Sequence, residues 1–164
     1  MYSRNLFLLI LSQIFGFTSA PVNVFLSGII GSQLVNIQIF ATLPTALMIV
    51  GTAISSIIAA KVMNKFGRKF GFILASIIAT LASLLGAYAI YITSFSFFCI
   101  SCLLSGFGLA FIAQYRFAAA ECVNKENIPN AVSMILIAGI FSALLGPSIA
   151  SFTKNIINEK LYVG

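Results

Sequence analysis

Titratable side chains are nearly missing from this sequence. Its 164 residues include no histidine and only three acids, and 7% of them are charged. The acids are Glu121, Glu126 and Glu159; there is no aspartate. Paired carboxylates, a nucleophile with its base, or a phosphate-binding loop cannot be assembled from this set, which excludes an enzyme and implies no cofactor. The cysteines are Cys99, Cys102 and Cys122. Without histidine or a second cysteine pair they cannot complete a four-ligand metal site. Cys99 and Cys102 form a C-x-x-C inside an apolar run, where free cysteine behaves as a small apolar residue. The charge needed to cover a soluble domain of this length is also absent.

What is present is hydrocarbon. Hydrophobic residues make up 60% of the chain, and mean hydropathy is +1.10. They fall in runs long enough to cross the ~30 Å apolar layer of a bilayer. Five spans are expected, at about 6–30, 37–60, 70–91, 95–114 and 131–152, forming one all-α, polytopic transmembrane domain over 1–164. Run length and the lack of period-two alternation exclude a β-barrel. Arg4 before an apolar stretch, with Ser19 and Ala20 following, imitates a signal peptide. The stretch continues to Ile30, however, and four more runs follow, so an uncleaved first span is expected.

The net charge of +6 raises nucleic acid as a partner. The cations instead sit in short connections between spans. Arg4, Lys61, Lys65, Arg68, Lys69, Arg116 and Lys125 fall on one side; Lys154 and Lys160 fall on the other. This is the bias of a multi-pass protein in a plasma membrane or bacterial inner membrane with its N-terminus in the cytoplasm. The expected partner is therefore the lipid bilayer and not nucleic acid.

Small residues recur at three- and four-residue steps. Gly71, Ala75, Ala79, Ala82, Gly86 and Ala89 do so in the third span, and Gly139, Ala143, Gly146 and Ala150 in the fifth. Such stripes let helix backbones approach in lipid. Polar faces also occur. Gln13, Gly16, Ala20, Asn23 and Ser27 share one face of the first span; Gln38, Thr42, Thr45 and Thr52 share one face of the second. Two readings satisfy these groups: a polar cavity, or hydrogen bonds between helices. Pro21, Pro44 and Pro147 each remove a backbone donor inside a span, so kinks are expected there, with Gly146-Pro147 the strongest breaker.

The connection between the second and third spans, Ala60-Lys-Val-Met-Asn-Lys-Phe-Gly-Arg-Lys69, resembles the cytoplasmic signature of the major facilitator superfamily, G-x-L-a-D-R-x-G-R-[RK]. Gly67, Arg68 and Lys69 match it and Lys65 matches in charge. Ala60 replaces the first glycine and Asn64 the aspartate, so the family's charge pairing by that acid is lost or weakened. The alternative is a generic basic loop. Gly139, Gly146 and Pro147, with Ser142 and Ala150 at glycine positions, resemble the family's fifth-helix signature, associated with its exporters. In the fourth span, Ser105-Gly106-Phe107-Gly108 resembles the end of R-x-x-q-G-x-g, with Cys102 at the arginine position, so proton coupling through that arginine is not carried over. Arg116 and Glu121 fall at the cytoplasmic edge, either as an ion pair or as separate snorkelling charges.

The resemblance implies most of one six-helix half of a secondary transporter that moves a small-molecule solute, with a missing C-terminal half completing the path. The alternatives are an accessory or structural multi-span protein acting through helix–helix contacts, or a non-functional gene fragment. Solute-pathway candidates are Gln13, Asn23, Gln38, Thr42 and Arg116. With no acid in any span, neutral or anionic solutes are favoured.

Overall fold

A computed structural model describes residues 4–34 and 38–153. The tail with Lys154, Glu159 and Lys160 lies outside the described residues, as does the side chain of Gln38. Among the described residues the elements are α1 (Arg4–Phe17), α2 (Ser19–Leu34), a 3-10 turn (Gln38–Thr42), α3 (Leu43–Phe66) and α4 (Arg68–Tyr91). They continue with α5 (Phe95–Ile112), α6 (Tyr115–Glu121), a 3-10 turn (Lys125–Asn127) and α7 (Ile128–Thr153). Among the described residues, five helical spans are long and apolar enough to cross a membrane. At 1.5 Å per residue, the 24 residues of α4 reach about 36 Å, more than the hydrocarbon thickness. Their outward faces carry Phe15, Ile57, Leu84 and Leu144, each more than 60% exposed. A water-facing surface does not tolerate so continuous an apolar skin.

Several helix ends differ from the sequence expectation. Lys61–Phe66, expected as loop, extends α3, so the connection to α4 shrinks to Gly67. A run of cations reads as loop by composition, but long basic side chains can stay on a helix and reach for the interface. Gly67 makes the turn with φ of 84°, and its N–H donates to Met63 O at 2.9 Å. That left-handed backbone favours glycine, which has no Cβ to clash. Likewise, 116–121, the first part of the 116–130 connection expected as loop, is entirely helix α6.

The prolines also behave differently from one another. Pro21 lacks the N–H that would bond to Phe17 O, and the first span breaks at Thr18, between α1 and α2. Pro44 lies in the first turn of α3, where its N–H would have no helical partner anyway. It does not kink a span interior. Pro147 lies inside α7, which continues through it as one helix.

The fourth span is central. In its most apolar stretch 61% of the residues are buried, against 11–28% in those of the other four. α5 packs chiefly on α3 and α4. Gly51 of α3 faces Leu103 O, and Gly106 of α5 faces Met48 O and Thr52 N of α3. The two glycines bring the backbones together reciprocally. Ser55, fully buried, donates within its helix to Gly51 O at 2.7 Å and lies 3.4 Å from Phe107 O across the joint. Of the α4 stripe, Gly71, Ala75, Ala82 and Ala89 are buried; Gly71 faces Met63 of α3, while Ala75 O and Ala79 face Gly108 of α5. The first and fifth spans form the second packed group, α1 and α2 against α7.

Candidate functional site

The joint between the first and fifth spans is built around backbone carbonyls. Ser142 is completely buried on α7. Its Oγ lies 2.7 Å from Ile14 O, 3.2 Å from Gln13 O and 3.2 Å from Ala138 O. One hydroxyl proton is thus shared toward α1, just before the break at Thr18. Thr18 Oγ1 donates to Ile14 O at 2.5 Å. On the next turn, Gly146 lies against the break: a Cβ there would stand 2.7 Å from Pro21 Cβ and 3.3 Å from Thr18 O. The glycine of the fifth-helix signature therefore seats α7 on the interruption in the first span.

Beside this joint a cavity of about 340 Å³ opens between α1, the α5–α6 junction and α7. Its walls are mainly apolar: Phe17, Ile112, Ile135, Leu136 and Ile140. Gln13 and Arg116 supply its polar side chains, and Gly139 and Ala143 form part of the α7 wall. Gln13 is 8% exposed, and its Oε1 is buried without a hydrogen-bond partner. A Cβ on Gly139 would lie 3.7 Å from Gln13 Nε2, so the glycine leaves room over the carboxamide. Arg116 is directed here by the turn at Ala113–Gln114 that separates α5 from α6. Its Nε reaches only Ala113 O, at 3.5 Å, and among the described residues no carboxylate pairs with it.

A second cavity, about 710 Å³, lies between α1, α4 and α6. Arg68, Lys69 and Glu121 stand among its lining residues. Glu121 pairs with Arg68 of the loop signature rather than with Arg116. Arg68 Nη2 donates to Oε1 at 2.6 Å and Nε to Oε2 at 3.2 Å, a two-pronged bond between the third and fourth spans. The missing signature acid at Asn64 thus leaves Arg68 with an acid from another helix. Asn64 and Lys65 are exposed, with Lys65 Nζ 5.3 Å from the Phe66 ring centroid.

The polar faces divide between the two readings. Ser27 bonds Thr45 across α2 and α3, which is interhelical bonding. Thr52 turns back on Met48 O of its own helix at 2.9 Å. Asn23 is half-buried and lines neither cavity; Thr42 is exposed in the turn before α3 and lines neither. Gln13, Arg116 and Gly139 are the sequence candidates that the fold brings together. Sequence reasoning assigned Ala143 to packing, and Gly139 to packing and the fifth-helix signature, yet both also line the cavity. It gave Ser142 no role of its own; its presence at a glycine position of the signature was the available signal.

Comparison with known proteins agrees with this architecture. Residues 15–116 match the family model described as sugar (and other) transporter. The riboflavin transporter RfnT of Brucella anthropi is 30% identical over 161 residues, covering 98% of this chain and 40% of that protein. The uncharacterized MFS-type transporter YdeG of Bacillus subtilis is 32% identical over 151 residues, 92% of this chain and 35% of that protein. YddS, another uncharacterized MFS-type transporter of Bacillus subtilis, is 27% identical over 151 residues. The chain spans well under half the length of these relatives. No solved structure gives a significant match. With the family model covering most of the chain, the basic signature between α3 and α4, and five apolar spans, this protein belongs to the sugar (and other) transporter family of the major facilitator superfamily.

Proposed function

We propose that the chain forms one wall of a secondary transporter and that the cavity between its first, fourth and fifth spans is part of the solute path. The observation that carries this is Gln13: a buried side chain in the cavity wall whose Oε1 has no hydrogen-bond partner among the described residues, on the same wall as Arg116, which pairs with no carboxylate among them. Groups held only for helix packing find partners on neighbouring helices, as Ser142, Ser55 and Ser27 do. A polar side chain that lines a cavity at membrane depth without a helix partner supports a path for a solute.

The solute is small, organic, and neutral or anionic, because no acid faces Arg116 among the described residues. Riboflavin is the first to test, since a relative bears that substrate in its name. A second set of helices completes the path, as alternating access requires two walls. The cation bias supports an orientation with Arg4 and the Gly67 turn on the cytoplasmic side of a plasma or bacterial inner membrane.

The test is uptake of labelled riboflavin by cells lacking their own uptake and expressing the full gene product. Accumulation above the vector control supports the reading. Absence of accumulation, with the protein present in the membrane, removes riboflavin as the solute.

A further inference from the structure

We infer that the cavity between the first, fourth and fifth spans selects a solute bearing a single carboxylate on an apolar body, and that Arg116 is the residue that selects it. The inference rests on the transport reading above and adds the charge of the solute. Among the residues lining the cavity, Arg116 carries the only formal charge. It is exposed, and only its Nε approaches a protein acceptor, Ala113 O at 3.5 Å. Its Nη1 and Nη2 make no hydrogen bond among the described residues. Glu121, five residues further along α6, does not neutralise it, because Arg68 holds both of its carboxylate oxygens. Glu126 takes part in no ion pair among the described residues.

A free guanidinium edge presents parallel N–H donors that match the two oxygens of a carboxylate. The surrounding walls, Phe17, Ile112, Ile135, Leu136 and Ile140, are apolar, so a charge pair there is less screened than in water. The same walls seat an apolar body, and a volume of about 340 Å³ suits one small ring system. Charge counting narrows the anion. One cation balances one carboxylate, whereas a phosphate monoester carries close to two negative charges at neutral pH. The excess charge would stand uncompensated among apolar walls. A cationic solute would meet Arg116 with like charge, and a neutral one would leave the guanidinium without an anion.

Two flavins make a matched probe pair. In carboxymethylflavin the ribityl chain of riboflavin is replaced by a carboxymethyl group; its carboxamide has the same ring and nearly the same size but no charge. Binding of each to the purified full gene product in mild detergent is read by flavin fluorescence anisotropy. Labelled riboflavin uptake by the same protein in proteoliposomes is measured alongside. The wild type should bind the acid about tenfold or more tightly than the amide, the scale of a charge-assisted hydrogen bond. Riboflavin phosphate should bind no more tightly than the acid. In Arg116→Gln the acid and amide should bind equally, and Arg116→Lys, which keeps the charge without the fork, should restore part of the preference. The comparison of ligands in the wild type does not depend on how well a variant folds. Equal binding of acid and amide by the wild type, tighter binding of riboflavin phosphate, or a preference that survives Arg116→Gln overturns the assignment. Failure of the acid to bind overturns it too. The uptake assay decides the transport reading separately: accumulation of riboflavin leaves it standing, and none removes riboflavin as the solute.

Discussion

Gly106→Ala tests the packing that holds the fourth span at the centre. The added Cβ would overlap Met48 O and stand 2.9 Å from Thr52 N and 3.0 Å from Met48 C. All three are backbone atoms of α3, which cannot rotate away as a side chain would. α3 and α5 must separate, which opens the reciprocal contact of Gly51 with Leu103 O and lengthens the 3.4 Å approach of Ser55 to Phe107 O. Overpacking of a tight interface costs about 1–3 kcal/mol. Replacing glycine by alanine in a helix returns up to ~1 kcal/mol of propensity. Gly28→Ala supplies the control, because a Cβ there meets nothing within 4 Å and carries the propensity gain alone. The two variants should therefore differ by about 1–3 kcal/mol. At ~2–4 °C per kcal/mol for a chain of this size, that is a gap of roughly 2–12 °C. The assay is a thermal melt in mild detergent read by a thiol-reactive fluorophore. Cys99 and Cys102 are buried on α5 itself, so the probe reports release of that helix, with Cys122→Ser removing the half-buried thiol. Melting of Gly106→Ala within a degree or so of Gly28→Ala, on that same scale, would refute the close α3–α5 approach.

Two further outcomes follow from the other joints. Ser142→Ala deletes the hydroxyl shared among Ile14 O, Gln13 O and Ala138 O; interhelical bonds of this type contribute ~0.6 kcal/mol on average, so the same melt should fall by a small but measurable amount, and an unchanged midpoint contradicts the bond. Arg68→Glu and Glu121→Arg should each lower the midpoint slightly, since an exposed pair contributes about 0.2–1 kcal/mol, and the double exchange should recover part of the loss. Additive losses in the double variant would show that the two residues do not interact.

The five spans and their cation bias were legible because the bilayer demands long apolar runs, and such runs are a one-dimensional signal. Gly67 was legible as a match to the loop signature, between cations in a motif of known order. The extent of α3 was not, because Lys61 and Lys65 look like loop residues by composition while their backbone remains helical. The partner of Glu121 was not either. Arg116 is nearer in sequence, but Arg68 is brought to it by the packing of α4 on α5 and α6, a tertiary fact. Of the polar residues, Gln13 and Ser27 share a helical face yet have different fates. Helical periodicity says which residues face inward; only the packing of α7 and α3 says whether a partner or a cavity waits there.

The central claim, that a solute passes through the cavity between the first, fourth and fifth spans, is tested most directly by filling it. Gly139→Leu places a branched side chain against the Gln13 carboxamide, whereas Leu144→Phe alters the outward face of the same helix, where Leu144 is 67% exposed. Labelled riboflavin uptake by the full gene product should be lost in Gly139→Leu and retained in Leu144→Phe at matched membrane levels. Retained uptake with the cavity filled would contradict the account.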